Sequence, residues 1–138
     1  MSSSLDSAVT LEEVIQAVGQ KRVPLAAELA GYLVLEILTS TPPEGDIDPA
    51  RTYVSEEGTV AFVRPKGEAA SGNTEQSARK LLGQLLELGG SKTPALSATA
   101  LRTTSEKPLA AELEAALIPL NRAAGRRALA RVARDVRR

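Results

Sequence analysis

The stretch GDIDPARTYVSEEGTVAFV, residues 45–63, decides the fold because it contains the strand signals of an otherwise helix-rich sequence. Thr52 to Ser55 and Thr59 to Val63 are runs rich in β-branched and aromatic residues. Glu56-Glu57-Gly58 between them has the length of a hairpin loop, with glycine at the left-handed position. The sequence therefore predicts a short two-stranded ribbon. Two strands alone are marginally stable, so the ribbon must pack on helices.

Helical signals precede this stretch. Thr10-Leu11-Glu12-Glu13 has the spacing of a capping box and predicts a helix that ends near Gly19. Pro24 suits the first turn of a second, central helix, which ends before Thr41-Pro42-Pro43 because consecutive prolines cannot continue a helix. Its apolar ridge is Leu25, Leu29, Leu33 and Ile37.

More helices are predicted after the ribbon. Residues 64–73 are predicted to be a long loop, and a third helix runs from about Thr74 to Gly89-Gly90. Pro94 to Thr104 is predicted to be a Ser/Thr-rich connection. Two helices follow, one capped by Ser105 with Pro108 in its first turn, and a last one capped by Asn121. The predicted apolar stripe of the last helix is Leu129, Val132 and Val136.

Composition indicates one globular, mainly α domain. The chain has 138 residues, of which 43% are hydrophobic and 25% charged, the balance of a folded protein. Leucine and alanine dominate the apolar set, which favours helices. We expect a disordered tail at residues 1–8 and a single domain at residues 9–138 that ends in an arginine-rich helix.

The residue inventory excludes several chemistries. The chain has no cysteine and no histidine, which removes disulfides, Ser-His-Asp and Cys-His nucleophile systems, and nearly all zinc sites. Carboxylates, lysine, tyrosine and serine are the remaining candidates for acid/base work. We therefore expect no enzyme activity and no cofactor.

No targeting segment is evident in the sequence. The N-terminus lacks the basic region and apolar stretch of a signal peptide. The most apolar run, residues 25–38, contains Glu28 and Glu36 and is too short and too charged to span a bilayer. We expect a cytoplasmic protein.

The order of the predicted elements resembles the C-lobe of a protein kinase and the KIND domain, a non-catalytic docking module with that fold. In this family two helices lead into a catalytic loop, and a ribbon then brings the magnesium-binding Asp-Phe-Gly. Gly45 to Arg51 stands in the place of the catalytic loop, and Thr52 to Val63 looks like the strand, acidic turn and strand. The resemblance covers roughly Val9 to Val136. It implies a mainly α, kinase C-lobe-like helical domain.

The departures from the family pattern imply a loss of catalysis. Asp46 matches the catalytic aspartate, but Asp48 replaces the loop lysine and Arg51 the metal-binding asparagine. Arg64 stands where the aspartate of Asp-Phe-Gly would be. Phosphoryl transfer needs Mg²⁺ held by acidic and amide oxygens, and cations at both ligand positions would repel it. Only 44 residues precede Gly45, too few for a nucleotide-binding lobe.

Acidic residues around the ribbon are one candidate binding surface. Close in sequence, they are Glu44, Asp46, Asp48, Glu56 and Glu57, and together they could receive a basic peptide. The alternatives are a solvated acidic loop and, for residues 45–49, a simple Asp/Pro turn that joins a helix to the hairpin. A calcium site is discounted because the spacing lacks the required glycine and distal glutamate.

The C-terminal helix is a second candidate surface. Residues 122–138 contain seven arginines and one aspartate, whereas the whole chain has no net charge, so the rest is acidic. Clustered arginines, here Arg126, Arg127, Arg131 and Arg134, can bind nucleic acid or another anionic surface. The alternative is that the apolar stripe of this helix docks on the acidic body.

These observations favour a non-catalytic adaptor or scaffold domain, resembling a pseudokinase C-lobe, that binds a peptide or protein partner. The alternative is an anionic-surface or nucleic-acid binder that acts through the arginine-rich helix. A domain excised from a longer protein is a further possibility.

Overall fold

The computed structural model describes residues 8–40, 47–62, 74–89, 94–101, 109–117 and 122–137. These residues form a mainly helical fold with a small antiparallel sheet. The helices are α1 (Leu11–Gly19), α2 (Ala27–Ser40), α3 (Thr74–Gly89), α4 (Pro94–Leu101), α5 (Leu109–Ala116) and α6 (Arg122–Arg137). The strands are β1 (Val9–Thr10), β2 (Thr52–Val54) and β3 (Val60–Phe62), and a 3-10 turn spans Pro49–Arg51. Apart from Ala8, the predicted N-terminal tail lies outside the described residues, as does the predicted loop 64–73.

Helix α1 begins with the predicted capping box. The Thr10 hydroxyl accepts a hydrogen bond from the Glu13 amide at 3.1 Å, and the Glu13 carboxylate accepts one from the Thr10 amide at 3.3 Å. Both bonds satisfy backbone donors that the first helical turn leaves without partners. The helix ends at Gly19, as predicted.

The sheet has three strands, in the order β1-β2-β3. Val9 lies opposite Val54 in the β1-β2 pair, and Val54 lies opposite Val60 in the β2-β3 pair. The predicted hairpin is therefore present, but the prediction of a two-stranded ribbon is wrong. Strand β1 has only two residues, too few to show the alternation of apolar and polar residues that is typical of a strand. It is a strand because it pairs with β2, which lies far along the chain.

The hairpin turn has the predicted left-handed glycine. Gly58 has a φ of 82°, and its amide donates to the Ser55 carbonyl at 3.0 Å. The Ser55 hydroxyl accepts bonds from the Glu57 and Thr59 amides, both at 3.1 Å. The buried serine thus satisfies the polar backbone of a turn that packs against the protein.

Helix α2 is the central element and is buried on nearly all sides. It packs on α3, α5, α6 and strand β3. The helix begins at Ala27 rather than at Pro24, because the chain first reverses direction after α1. Lys21 adopts a left-handed φ of 60° in that reversal, and the Ala26 carbonyl accepts the first helical hydrogen bond, from Ala30 at 3.0 Å.

Helix α4 corrects a second prediction, because Pro94 to Leu101 is helical and not a connection. Proline at the first helical position costs no hydrogen bond. Leu96 and Thr99 are buried against the neighbouring helices, so tertiary packing stabilises this short segment despite its serines and threonines. The predicted bounds of α3 are confirmed. The core is aliphatic, as expected, with Leu33, Leu82 and Leu113 fully buried.

Candidate functional site

The segment that resembles a catalytic loop forms a capped turn in its described part, residues 47–51. The Asp48 carboxylate accepts a hydrogen bond from the Ala50 amide at 3.0 Å, and the Asp48 carbonyl accepts one from the Thr52 hydroxyl at 2.8 Å. The Ile47 amide donates to the Ser77 hydroxyl at 2.9 Å, which attaches the turn to α3. Asp48 therefore has the role expected of an Asp/Pro turn. Gly45 and Asp46 lie outside the described residues.

Arg51 pairs with the same carboxylate. Its Nε lies 3.6 Å from Asp48 Oδ2, with both side chains about half exposed. An arginine beside the carboxylate supplies the positive charge that a metal ion would bring. Among the residues that the structure describes, no group of three or more carboxylates is placed to hold a metal.

A cleft opens beside this turn, between α1 and α3, with a volume of about 390 Å³. Its lining combines two carboxylates, two side-chain amides and three apolar side chains. They are Glu12, Asp48, Gln16, Gln84, Ile15, Pro49 and Ala50. Among the described residues, no lysine or arginine lines the cleft, and Arg51 pairs with Asp48 beside it. The negative charge next to the small apolar surface therefore comes mainly from Glu12.

The remaining acidic candidates lie elsewhere. Glu56 and Glu57 occupy the hairpin turn, and strand β2 separates them from Asp48. Glu56 Oε2 is 2.9 Å from Arg137 Nη1, so this carboxylate holds the end of α6. Glu57 is exposed. Glu44 lies outside the described residues. The structure therefore places the described acidic candidates in two locations.

Helix α6 docks on the body through its predicted stripe. Leu129, Val132 and Val136 are buried. The helix packs on α1, α2 and the sheet. A Cβ at Gly125 would lie 2.6 Å from the Tyr32 ring, so glycine allows the two helices to approach closely. The predicted docking of this apolar stripe on the rest of the protein is thus confirmed.

Two backbone contacts hold the ends of α6. At one end, Gly58 packs so closely on Arg126 that a Cβ at Gly58 would overlap the Arg126 carbonyl oxygen. At the other end, Arg22 Nη2 donates to the Val136 carbonyl at 3.5 Å, a long bond to a carbonyl of the last turn. The hairpin turn and the segment that follows α1 therefore both position this helix.

Four exposed arginines of α6 leave the helix in two different directions. Arg127, Arg131 and Arg134 follow the spacing i, i+4 and i+7, which places them on one face of the helix. All three are exposed and form no ion pair with another residue of the described segments. We call these three residues the arginine strip. Arg126 is also exposed but leaves the helix about 100° away, on the side of the hairpin turn.

Sequence reasoning missed a buried ion pair. Arg79 Nη1 on α3 lies 2.9 Å from Glu112 Oε2 on α5, in an ionic contact whose geometry falls outside that of a hydrogen bond. The same nitrogen donates to the Thr99 carbonyl of α4 at 2.8 Å. One guanidinium therefore connects three helices. The sequence contains no signal for this pair, because each residue alone looks like a solvated position on a helix.

The cleft was also missing from the sequence interpretation. In the sequence, Glu12 belonged only to the predicted start of a helix, and no predicted motif included Gln84. They share a site only because α1, the 3-10 turn and α3 pack together. Among its lining residues, only Asp48 belonged to a predicted site.

No family model matches the chain, and neither a curated protein nor a solved structure matches it. The kinase C-lobe resemblance therefore stays a prediction. Within the described segments, no helix is long and apolar enough to cross a membrane.

Proposed function

We propose that the chain is a non-catalytic protein-binding domain that holds a peptide segment in the cleft between α1, the 3-10 turn and α3. The observation that supports this function is the composition of the cleft. The lining combines the carboxylates of Glu12 and Asp48 with the apolar side chains of Ile15 and Pro49, and none of its described residues is a lysine or arginine. The complementary ligand is a peptide with a lysine or arginine next to small apolar residues.

The size of the cleft supports a peptide ligand. Its volume of about 390 Å³ is at the lower end of the range for ligand-binding clefts, enough for one or two side chains of a partner. Gln16 and Gln84 add amide donors and acceptors that could bond the peptide backbone. Both glutamines are exposed, so their side chains are available to a ligand.

The local chemistry also supports a role without catalysis. Asp48 is engaged in capping the 3-10 turn and in the contact with Arg51. The chain has no histidine or cysteine, so it lacks the imidazole and thiol groups of the common nucleophile systems. The order of α2, the 3-10 turn, β2, β3 and α3 supports an adaptor of the pseudokinase C-lobe or KIND type.

A peptide array tests the proposal. The probe is a set of immobilised peptides of about ten residues, in which one or two lysines or arginines alternate with alanine, valine and leucine. A second set has glutamate at the basic positions. We expect the protein to be retained by the basic set and not by the acidic set. Retention by neither set, or by both equally, would contradict the proposal.

Variants locate the binding site. Glu12→Lys and Ala50→Arg place positive charge in the cleft at exposed positions, and each should reduce the affinity for basic peptides at least about tenfold. Glu28→Lys is the matched control, because Glu28 is likewise exposed in the first turn of its helix but lies outside the cleft. Equal losses in Glu12→Lys and Glu28→Lys would show that binding occurs elsewhere.

A further inference from the structure

The arginine strip has no structural task in the described part of the molecule. The docking of α6 uses its opposite side, where Leu129 and Val136 are buried, and its ends are held by the hairpin turn and by Arg22. Arg137 pairs with Glu56, so one arginine of the helix has a clear internal role. Arg127, Arg131 and Arg134 form no such contact and remain available to an anionic partner.

The spacing of the strip suits a regular array of phosphates. Arg127 and Arg134 are seven residues apart, which corresponds to about 10.5 Å along the axis of α6. Phosphates recur about every 3.4 Å of axial rise on one strand of duplex DNA, so the strip covers about three nucleotide steps. A guanidinium binds phosphate oxygens with two parallel hydrogen bonds, an interaction that a rigid helix can present three times.

The surroundings of the strip favour a duplex over a single strand. Single-stranded nucleic acids are held by aromatic side chains on which bases stack. The whole chain has three aromatic residues, none of them in α6. Tyr32 is buried, and Tyr53 and Phe62 belong to the sheet. Contacts from α6 are therefore directed to the sugar-phosphate backbone, which makes binding independent of sequence.

The surroundings also disfavour a membrane. A helix that lies on a bilayer inserts an apolar face among the lipids. The apolar face of α6 is already covered by α1, α2 and the sheet, and Leu129 and Ala133 are fully buried. Three arginines without an apolar anchor would attract anionic lipids by only about 1 kcal/mol each.

We propose that the arginine strip, Arg127, Arg131 and Arg134, binds the phosphate backbone of a duplex nucleic acid without sequence preference. The proposal does not rest on the peptide cleft, which lies between other elements. The acidic remainder of the chain confines the contact to this face, because it repels phosphates elsewhere.

The test is a salt titration with a fluorescein-labelled DNA duplex of about 20 base pairs, measured by fluorescence anisotropy on the full chain. Three phosphate contacts predict a slope of log affinity against log salt of about −2.7. The affinity should then fall about 40-fold between about 50 and 200 mM salt. No binding at the lowest salt would overturn the proposal.

Single substitutions test which arginines contribute to the salt dependence of duplex binding. Each single change, Arg127→Gln, Arg131→Gln or Arg134→Gln, should make the slope less steep by about 0.9. All three positions are exposed, and glutamine is a good helix former, so the variants should keep the fold. Arg126→Gln is the matched control on the same helix and should leave the slope unchanged. An equal change in Arg126→Gln would overturn the assignment to one face.

A second arm separates the partner classes. Vesicles of phosphatidylcholine with added phosphatidylserine serve as the membrane probe at the same low salt. We expect the duplex to bind and the vesicles not to bind. Binding to the vesicles without binding to the duplex would replace the proposal by a membrane role, and loss of peptide binding in the cleft variants should leave the duplex titration unchanged.

Discussion

The guanidinium of Arg79 lies 2.9 Å from the carboxylate of Glu112, and the two side chains are 7% and 3% exposed. The same guanidinium also lies 3.4 Å from Glu75, whose side chain is 46% exposed. One arginine thus has a buried and an exposed acidic neighbour. The two contacts differ in solvent screening, which allows each to be evaluated separately.

Removing one partner of the buried pair should be costly. Glu112→Leu leaves a charged guanidinium in a site with little water, and Arg79→Met leaves a buried carboxylate. Each change should lower the free energy of unfolding by about 3 to 5 kcal/mol, measured by urea denaturation. Glu75→Gln is the control and should cost less than about 1 kcal/mol, because its contact is exposed.

The double variant Arg79→Met/Glu112→Leu completes the cycle. Since no charge then remains buried, it should be less destabilised than the sum of the single variants by about 2 kcal/mol or more. Additive losses would show that the two side chains act independently and that the loss reflects packing alone.

Substitution by alanine should have opposite effects on stability at two helical glycines. At Gly125 the added methyl group would meet the Tyr32 ring at 2.6 Å, so Gly125→Ala should destabilise the protein by about 1 to 3 kcal/mol. At Gly83 the nearest atom is the Ala100 Cβ at 3.8 Å, an ordinary contact. Gly83→Ala should therefore stabilise α3 by about 0.5 to 1 kcal/mol. Thermal and urea unfolding of the two variants measure the difference, and changes of the same sign would contradict the packing argument.

Gly58 should not tolerate a side chain. Its positive φ is unfavourable for alanine, and the added Cβ would overlap the Arg126 carbonyl oxygen. Gly58→Ala should cost at least about 2 kcal/mol of unfolding free energy and loosen the contact between the hairpin turn and α6. Amide hydrogen exchange should then quicken in both elements. Glu57→Ala, one residue earlier and exposed, should change the unfolding free energy by less than about 0.5 kcal/mol.

The contribution of Thr10 to stability should depend on its hydroxyl group. Thr10→Ala removes the acceptor for the Glu13 amide and should cost about 1 kcal/mol of unfolding free energy. Thr10→Ser keeps the acceptor and should remain close to the parent chain. Urea denaturation distinguishes the two, and equal losses would mean that the methyl group matters more than the hydrogen bond.

Local signals predicted the elements whose residues interact within a few positions. The capping box at Thr10 and Glu13, the left-handed Gly58 and the bounds of α3 depend on neighbours in sequence, and all three are confirmed. The buried stripe of α6 was also predictable, because Leu129, Val132 and Val136 repeat at helical spacing.

Elements that depend on distant partners were missed. Strand β1 exists because Val9 meets Val54, and α4 exists because Leu96 and Thr99 are covered by other helices. The cleft arises in the same way, from the packing of α1, α3 and the 3-10 turn. The properties of single residues do not show which distant residues will pack together. For this reason, Asp48 was the only residue of the cleft lining that the sequence predicted as a site residue.

The pairing of β1 with β2, and the contact of β1 with α6, also bear on the speed of folding. Pairing Val9 with Val54 closes a loop of about 45 residues. The chain therefore loses conformational entropy before the new contacts can stabilise it. We therefore expect β1 to join after the transition state. In stopped-flow kinetics, Val9→Ala should accelerate unfolding and leave the refolding rate nearly unchanged. Slower refolding instead would place β1 in the folding nucleus, and the helices would then assemble around a strand pair formed early.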